Sequence, residues 1–563
     1  MPTPEVSGGS RTGPNDRVVI PRAWLLVGAV VAQVVLALAM KSVPLLGMVQ
    51  AATIILAGLY AIAKRNLGLV ACLVAYLVGA EVLWRQVKAP VPYQTAPYVM
   101  ILLSAVVVVM VIGKLNGTAR LAALYLMLLI PSIINTIRTA GAEAREMIAF
   151  ALSGPAALAC FVAFTSQVRS TPAQYRRILW TALISAVGPL TVALSEIQSE
   201  LAKGRSIEFK DQSNFLTSGG FGPVQVSAVL GLGVVIAIIL TIYDTNRIAR
   251  YLAGTLALIF SVQSLLTFSR GGMFSAAIGL SALAVAQARD RRIRNRVLVV
   301  VAVALTLGYF VVVPFLTDFT GGAFEKRFTD TESSRTDLAA NDTQIFTNNI
   351  VFGVGPGMTK YQRLTFEICQ LRSDKCSDES SSHTEFTRLL GEHGIPGIAA
   401  GVVLFVLAFR ALRGSKVDRP FAVAFIFWAV AQMFYANLRV VAVPFAFGIA
   451  FLTVKALSLE GEPEDDEATT DPDDDEGEPV LTDTPLQDAV PAVQPELRPP
   501  PLPHAANGAG VRVSPAGGAG GWGAAAGTDS EHVPAPPPYR PGAAVPAPPP
   551  QRTPPTVTAG GAG

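Results

Sequence analysis

The chain is 563 residues long, 51% hydrophobic and only 15% charged, with a formal net charge of +3. That balance excludes an ordinary soluble globular protein, and no basic, aromatic-interleaved stretch points to nucleic acid. Charge is segregated, with Lys and Arg between apolar blocks and Asp and Glu crowded into Glu460 to Glu478.

The first 21 residues are polar and include Arg11 and Arg17, with no compact charged n-region and no small-residue cleavage site after the apolar run that follows. That run is expected to stay as a first helix, leaving 1–21 as a short cytoplasmic segment. Apolar blocks then recur at about 20 residues, the length that crosses a hydrocarbon core of roughly 30 Å. Fourteen spans are expected, near 22–40, 43–63, 66–84, 97–113, 119–137, 147–165, 176–194, 223–243, 249–267, 272–288, 297–315, 396–412, 420–436 and 441–458. Residues 22–458 therefore read as an all-α polytopic membrane domain. Pro131, Pro155 and Pro189 within spans are tolerable where helices pack on helices.

With the N-terminus inside, the inner loops collect Lys64/Arg65, Lys114/Arg120, Arg169/Arg176/Arg177, Arg247/Arg250, the run Arg289 to Arg296, and Arg410/Arg413/Lys416/Arg419. The short outer loops carry fewer, such as Lys41 and Arg85/Lys88. This positive-inside bias places both termini in the cytoplasm. Two long segments then face outward. Ser195 to Gly222, SEIQSELAKGRSIEFKDQSNFLTSGGFG, contains Arg205 and Lys210. Thr317 to Pro396 is too long for a mere connector, and its mixed charges with interspersed Phe, Ile and Leu point to short helices on the membrane surface.

Between these segments, Arg270 ends a span within Ser269-Arg270-Gly271-Gly272. Such a charge can snorkel to the interface. The glycines also allow close backbone approach, and amides at the following helix N-terminus beside a permanent guanidinium suit a phosphate. In the second outer segment Gly353, Gly355 and Gly357 form GVGPG, a tight-turn signal without the Lys-Ser/Thr of a phosphate-gripping P-loop. Its expected job is to position the loop over a site. Cys369 and Cys376, seven apart, suit a disulfide in an oxidising exterior or stand as free thiols. Cys72 and Cys160 lie in apolar spans, where a thiol acts as a small hydrophobe.

The stretch SSSHTEFTRLLGEHGIPG follows. His383 is the natural side chain for moving a proton near neutral pH. It stands at an apparent helix start, where Ser380 to Ser382 offer caps, Glu385 fits the first turn, and Phe386, Leu389 and Leu390 give an apolar face. A solvated or capping histidine is the alternative. Glu392 reads as a structural carboxylate at a helix break leading to Gly394 and Gly397, and His393 shows no obvious partner. There is no HExxH, no outer DxD pair and no Cys/His quartet, so neither a metal nor another cofactor is indicated. After Leu459 the chain turns acidic and then Pro-, Ala- and Gly-rich, a composition that cannot bury enough surface to order itself. Residues 459–563 are expected to be a disordered cytoplasmic tail whose PPP stretches suit a polyproline-reading partner.

With these residues in hand, the chain resembles the O-antigen ligase and Wzy-type polymerase superfamily of bacterial envelope proteins. The match lies in the SRG at Ser269 to Gly271, the GVGPG at Gly353 to Gly357, and His383-x-x-Phe386 leading to Glu392-x-Gly394-Ile395-x-Gly397. The resemblance implies a GT-C-like fold in the bacterial cytoplasmic membrane. It also implies metal-independent transfer of a glycan from undecaprenyl diphosphate to an acceptor hydroxyl, on a glycan, lipid or wall polymer, at the outer face. His383 corresponds to the family histidine and Arg270 to the arginine that holds the diphosphate. The family arginine that precedes the Gly-Phe stretch in the first outer loop has no counterpart in Asn214 to Gly222; Lys210 and Arg205, a few residues upstream, are the candidates for that charge, and without either the diphosphate clamp is weaker than the family's. A transporter of lipid-linked saccharides and a non-catalytic envelope scaffold are the rival classes. Transporters place ionisable groups mid-membrane, whereas the informative residues here gather at span ends.

Overall fold

The computed structural model describes residues 22–205, 207, 209, 213–288, 295, 299, 306, 308–329, 334–364, 382, 384–413, 419–454 and 480–481. All of these belong to one compact unit, Met1–Ala489, and the second unit, Val490–Gly563, lies outside the described residues.

Long runs of Leu, Val, Ala and Ile meet no water in a bilayer, and a helix satisfies their peptide groups within one segment. The helices in order are α1 (Arg22–Ser42), α2 (Leu45–Ala63), α3 (Leu67–Gln86), α4 (Thr95–Val107), α5 (Gly117–Leu129), α6 (Ile133–Ala140), α7 (Ala144–Thr165) and α8 (Pro172–Ala202). They continue as α9 (Pro223–Tyr243), α10 (Arg247–Leu266), α11 (Arg270–Ala286), α12 (Val313–Phe319), α13 (Ala323–Thr329), α14 (Ser334–Asn348) and α15 (Thr359–Leu364). Last come α16 (Glu385–Ala411), α17 (Arg419–Met433) and α18 (Ala442–Ile449).

Among the described residues, nine helical stretches are long and apolar enough to cross a membrane by length and composition, with Arg270–Ala286, Phe310–Phe319 and Arg419–Met433 as shorter apolar helices. The chain is a mostly helical, polytopic membrane protein. Its spans depart from the expected fourteen in identifiable places. Residues 119–137 do not form one straight span, because α5 ends at Leu129, a turn at Pro131 follows, and α6 is only 8 residues long. Residues 441–458 hold α18, also 8 residues and so about 12 Å long, well short of a hydrocarbon core. Most of 297–315 lies outside the described residues.

Among the long apolar helices the most enclosed are α3, α8 and α9, and the short α18 is buried at every residue. The sequence of α9, PVQVSAVLGLGVVIAIILTIY, is apolar on nearly every side, as befits a helix surrounded by others. At the periphery, α1 exposes Trp24, Leu25, Val31 and Val35, a face suited to lipid. Among the described residues, one small sheet accompanies the helices. Arg169–Ser170 (β1) pairs in parallel with Thr453–Val454 (β2) and with Val480–Leu481 (β3). The β3 pair falls within 459–563, where disorder is expected. It is the apolar Val-Leu that follows the acidic run, and it covers the remaining edge of β1.

Candidate functional site

Polar side chains collect at the end of the bundle where α3, α10 and α17 finish and α11, α16 and α18 begin. Helix α16 starts after Thr384, whose hydroxyl accepts from the Thr387 amide at 3.1 Å. The cap is therefore Thr384, not the expected Ser380 to Ser382. Within α16 the backbone breaks at Gly394, with φ 62° and ψ −137°. Glycine alone holds that conformation without strain, and a Cβ there would run into the Ile350 carbonyl.

Such a break frees backbone donors and acceptors that need partners. The GVGPG turn and Ile350 just before it provide them. The Val354 amide donates to the Gly391 carbonyl, the Gly355 amide to the Glu392 carbonyl, and the Ile395 amide to the Ile350 carbonyl, each at 2.9 Å. Gly353, Gly355 and Gly357 all have positive φ (64°, 100° and 78°), which lets the turn lie flat against the kink. Gly397 lies on the far side of the break, where a Cβ would meet the Leu389 carbonyl. Helix α6 holds the turn from the other side: Asn135 Nδ2 donates to the Gly353 carbonyl at 2.8 Å and the Thr136 hydroxyl to the Pro356 carbonyl at 3.1 Å. Ser132, in the turn before α6, lies 2.5 Å from His393 Nδ1. His393 is thus not without a partner. It is buried and ties α16 to a residue 261 positions away, a distance that hides the pairing from sequence.

Glu385, Arg388 and Glu392 are all buried in the first turns of α16. Their i, i+3 and i, i+4 spacing puts them on one face. Arg388 Nη2 pairs with Glu385 Oε2 at 2.6 Å, and its Nε lies 4.0 Å from Glu392 Oε2. A buried charge persists only when paired, and carboxylate–guanidinium–carboxylate is such an arrangement. Glu392 Oε1 lies 3.5 Å from the Thr359 hydroxyl, which is 3.1 Å from that of Ser382.

The SRGG motif forms the start of α11. Phe268, just before it, is fully buried with a left-handed φ of 56°, a conformation that costs a bulky residue about 1–2 kcal/mol. Amides open to a phosphate are expected here, but the Gly272 amide donates to Ser227 Oγ at 3.1 Å, and both Gly271 and Gly272 are buried. These glycines serve packing, since a Cβ at Gly272 would run into the Ser227 carbonyl of α9. Arg270 is half-buried at the first position of the helix.

A hydrogen-bonded path joins the motifs. Gln432, near the end of α17, donates to the Gly271 carbonyl at 3.3 Å and accepts from Asn437 Nδ2 at 2.6 Å. The next amide, Leu438, donates to Glu385 Oε1 at 3.3 Å, and Val441 donates to Glu81 Oε2 of α3 at 2.7 Å. SRGG, the charged face of α16 and the end of α3 therefore meet around the single turn Asn437–Arg439. Ala436, which enters that turn, is also left-handed, at φ 53°, so strained backbone stands on both sides of the junction. Burial first and Arg388 second push the Arg439 guanidinium down to about 10, while Glu385 and Glu392 pull it back up. It stays cationic at neutral pH, with its Cζ 4.5 Å from the Phe150 ring centroid.

The segment between α8 and α9 reaches the same place through Phe209, which stacks on Phe268 at 5.1 Å and meets Phe319 edge-on at 5.6 Å. Leu266, Phe268, Leu316 and Phe324 form a small separate core there, into which the short helices α12 and α13 pack. Arg205 is exposed and paired with Glu200 at 2.9 Å, beside the Lys203–Glu200 pair at 2.7 Å. Lys210, His383, Cys369 and Cys376 lie outside the described residues.

Sequence reasoning missed Arg388, Ser132, Asn135, Gln432, Asn437 and Arg439. The Glu385-x-x-Arg388-x-x-x-Glu392 spacing was a usable signal, because three charges on one helical face beside an apolar span must pair. The others are isolated polar residues whose partners are far along the chain.

Together these elements define a many-helix membrane protein with a polar, motif-bearing junction at one end of its bundle. Residues 255–402 match the family model described as O-antigen ligase. That stretch contains SRGG, GVGPG and the α16 motif, so this part of the chain is similar to the O-antigen ligase domain of the ligase and Wzy superfamily. No curated protein matches the chain.

Proposed function

We propose that the protein transfers an oligosaccharide from an undecaprenyl-diphosphate carrier to an acceptor hydroxyl at the outer face of the cytoplasmic membrane, without a metal. The observation that carries this is the meeting of SRGG, GVGPG and the α16 motif at one junction, within the family-matched stretch. In this reaction the acceptor oxygen attacks the anomeric carbon, the bond from that carbon to the diphosphate oxygen breaks, and the hydroxyl proton passes to His383. Negative charge grows on the departing diphosphate, and a fixed cation there lowers the barrier. Arg270 has that role, and Lys210 is the candidate for a second cation, since Arg205 already pairs with Glu200. The paired charges and the GVGPG turn fix the start of α16, the helix that follows His383 in sequence.

The test is complementation of a deletion strain with wild type, His383→Ala or Arg270→Ala at matched membrane levels. Loss of a surface glycan with accumulation of carrier-linked oligosaccharide in both mutants supports transfer, and the ladder length on the carrier separates ligase from polymerase. A wild-type profile from both mutants favours the scaffold or transporter.

A further inference from the structure

We propose that a pocket at the turn between α3 and α4 is a binding subsite for an acidic saccharide unit, one that bears a carboxylate. The proposal rests on the glycan-transfer reading and adds the chemical class of the glycan. All of the lining residues precede residue 255, so the family match does not assign this pocket.

The pocket holds about 210 Å³ of space and is lined by Arg85, Lys88, Trp84, Tyr93, Phe221 and Glu81, among others. Three aromatic side chains around a cavity of this size suit the C–H faces of one sugar ring, with a few charged groups to orient it. The charge balance selects the ring's substituent. Glu81 is consumed on both oxygens, by Arg85 Nη2 at 2.5 Å and by the Val441 amide at 2.7 Å. Arg85 is fixed in place: Nη2 also donates to the Tyr93 carbonyl at 3.0 Å, and its Cζ lies 3.7 Å from the Tyr93 ring centroid and 5.8 Å from that of Phe221. Its Nε is buried without a hydrogen-bond partner. Lys88 stands exposed on a left-handed backbone at φ 52° and adds a positive charge that the Glu81–Arg85 pair does not cancel. A carboxylate on the bound ring answers the uncancelled charge of Lys88.

The location is right for a transferase subsite. Phe221 belongs to the Gly-Phe stretch of the first outer segment, and Glu81 holds the Val441 amide in the turn whose Leu438 amide binds Glu385 of α16. A sugar in the pocket therefore sits beside the junction that carries the motifs.

The test is saturation-transfer NMR on full-length protein in nanodiscs, with glucuronate, glucose and inorganic phosphate as probes. Wild type should bind glucuronate in preference to glucose, and Lys88→Gln and Tyr93→Ala should each weaken glucuronate by about tenfold. Arg85 is left intact because its loss would strand Glu81. No glucuronate signal from wild type, equal binding of glucose, unchanged binding by both variants, or complete displacement by phosphate each overturns the proposal. In transfer assays Lys88→Gln raises KM for the acceptor alone if the acidic unit is on the acceptor, or for the donor alone if it is on the donor, and an unchanged KM for both also overturns it. Glucuronate binding without any transfer by wild type would instead leave the subsite standing and sink the transferase reading.

Discussion

Gly394→Ala strikes the contact that joins the GVGPG turn to α16. At φ 62° and ψ −137° an alanine is strained by about 1–3 kcal/mol. Its methyl group would also meet backbone only, chiefly the Ile350 carbonyl and the Gly353 amide, so no flexible side chain can yield. Relief requires the turn to move, which loses one or two of the hydrogen bonds from Val354, Gly355 and Ile395 at about 0.5–1.5 kcal/mol each. The total is roughly 1.5–6 kcal/mol, a large share of the about 5–15 kcal/mol typical of a folded domain. Gly401→Ala, later in the same helix, is the control, because a Cβ there meets nothing within 4 Å. Thermal unfolding of the purified protein in detergent, followed by Trp fluorescence, should show a clear fall in Tm for Gly394→Ala and almost none for Gly401→Ala. Glycan transfer should follow the same order. Equal Tm and equal transfer in the two variants would refute the docking of the turn as the reason for this glycine.

Arg388→Met leaves Glu385 and Glu392 buried without their shared cation, so stability should drop by about 3–5 kcal/mol. Adding Glu385→Gln and Glu392→Gln should restore part of it, and Tm measurements on the single and triple variants check both steps. Ser132→Ala removes the side-chain partner of the buried His393 Nδ1 and should cost about 1–3 kcal/mol with little change at the membrane-crossing core. Protease susceptibility of the α5–α6 turn reads that loss locally. Cys369 and Cys376, if bridged, should both resist maleimide labelling until reductant is added, whereas labelling without reductant shows free thiols.

Much of the fold was legible because a bilayer imposes length and composition on every span. Blocks such as 223–243 coincide with α9, and 66–84 nearly with α3. The failures occur where polar residues interrupt a block. Ser132, Asn135 and Thr136 follow Pro131; Ser132 lies in the turn before a short helix, and Asn135 and Thr136 belong to that helix, which cradles GVGPG, while the hydropathy of their neighbours masks this. At the site, the three motifs and the break at Gly394 could be read from glycine spacing. That Gly272 uses its amide on Ser227, and that Gln432 and Asn437 bridge SRGG to Glu385, depends on contacts between helices distant in sequence. No local pattern encodes those.

The most direct measurement is release of undecaprenyl diphosphate from a lipid-linked oligosaccharide by purified protein in proteoliposomes, comparing wild type with His383→Gln and Arg270→Gln. Wild type should release the carrier in step with acceptor glycosylation. His383→Gln should lose about 10²-fold or more in rate, and Arg270→Gln should lose a similar factor, while both keep the wild-type Tm. Unchanged release by both variants would contradict a mechanism centred on these residues.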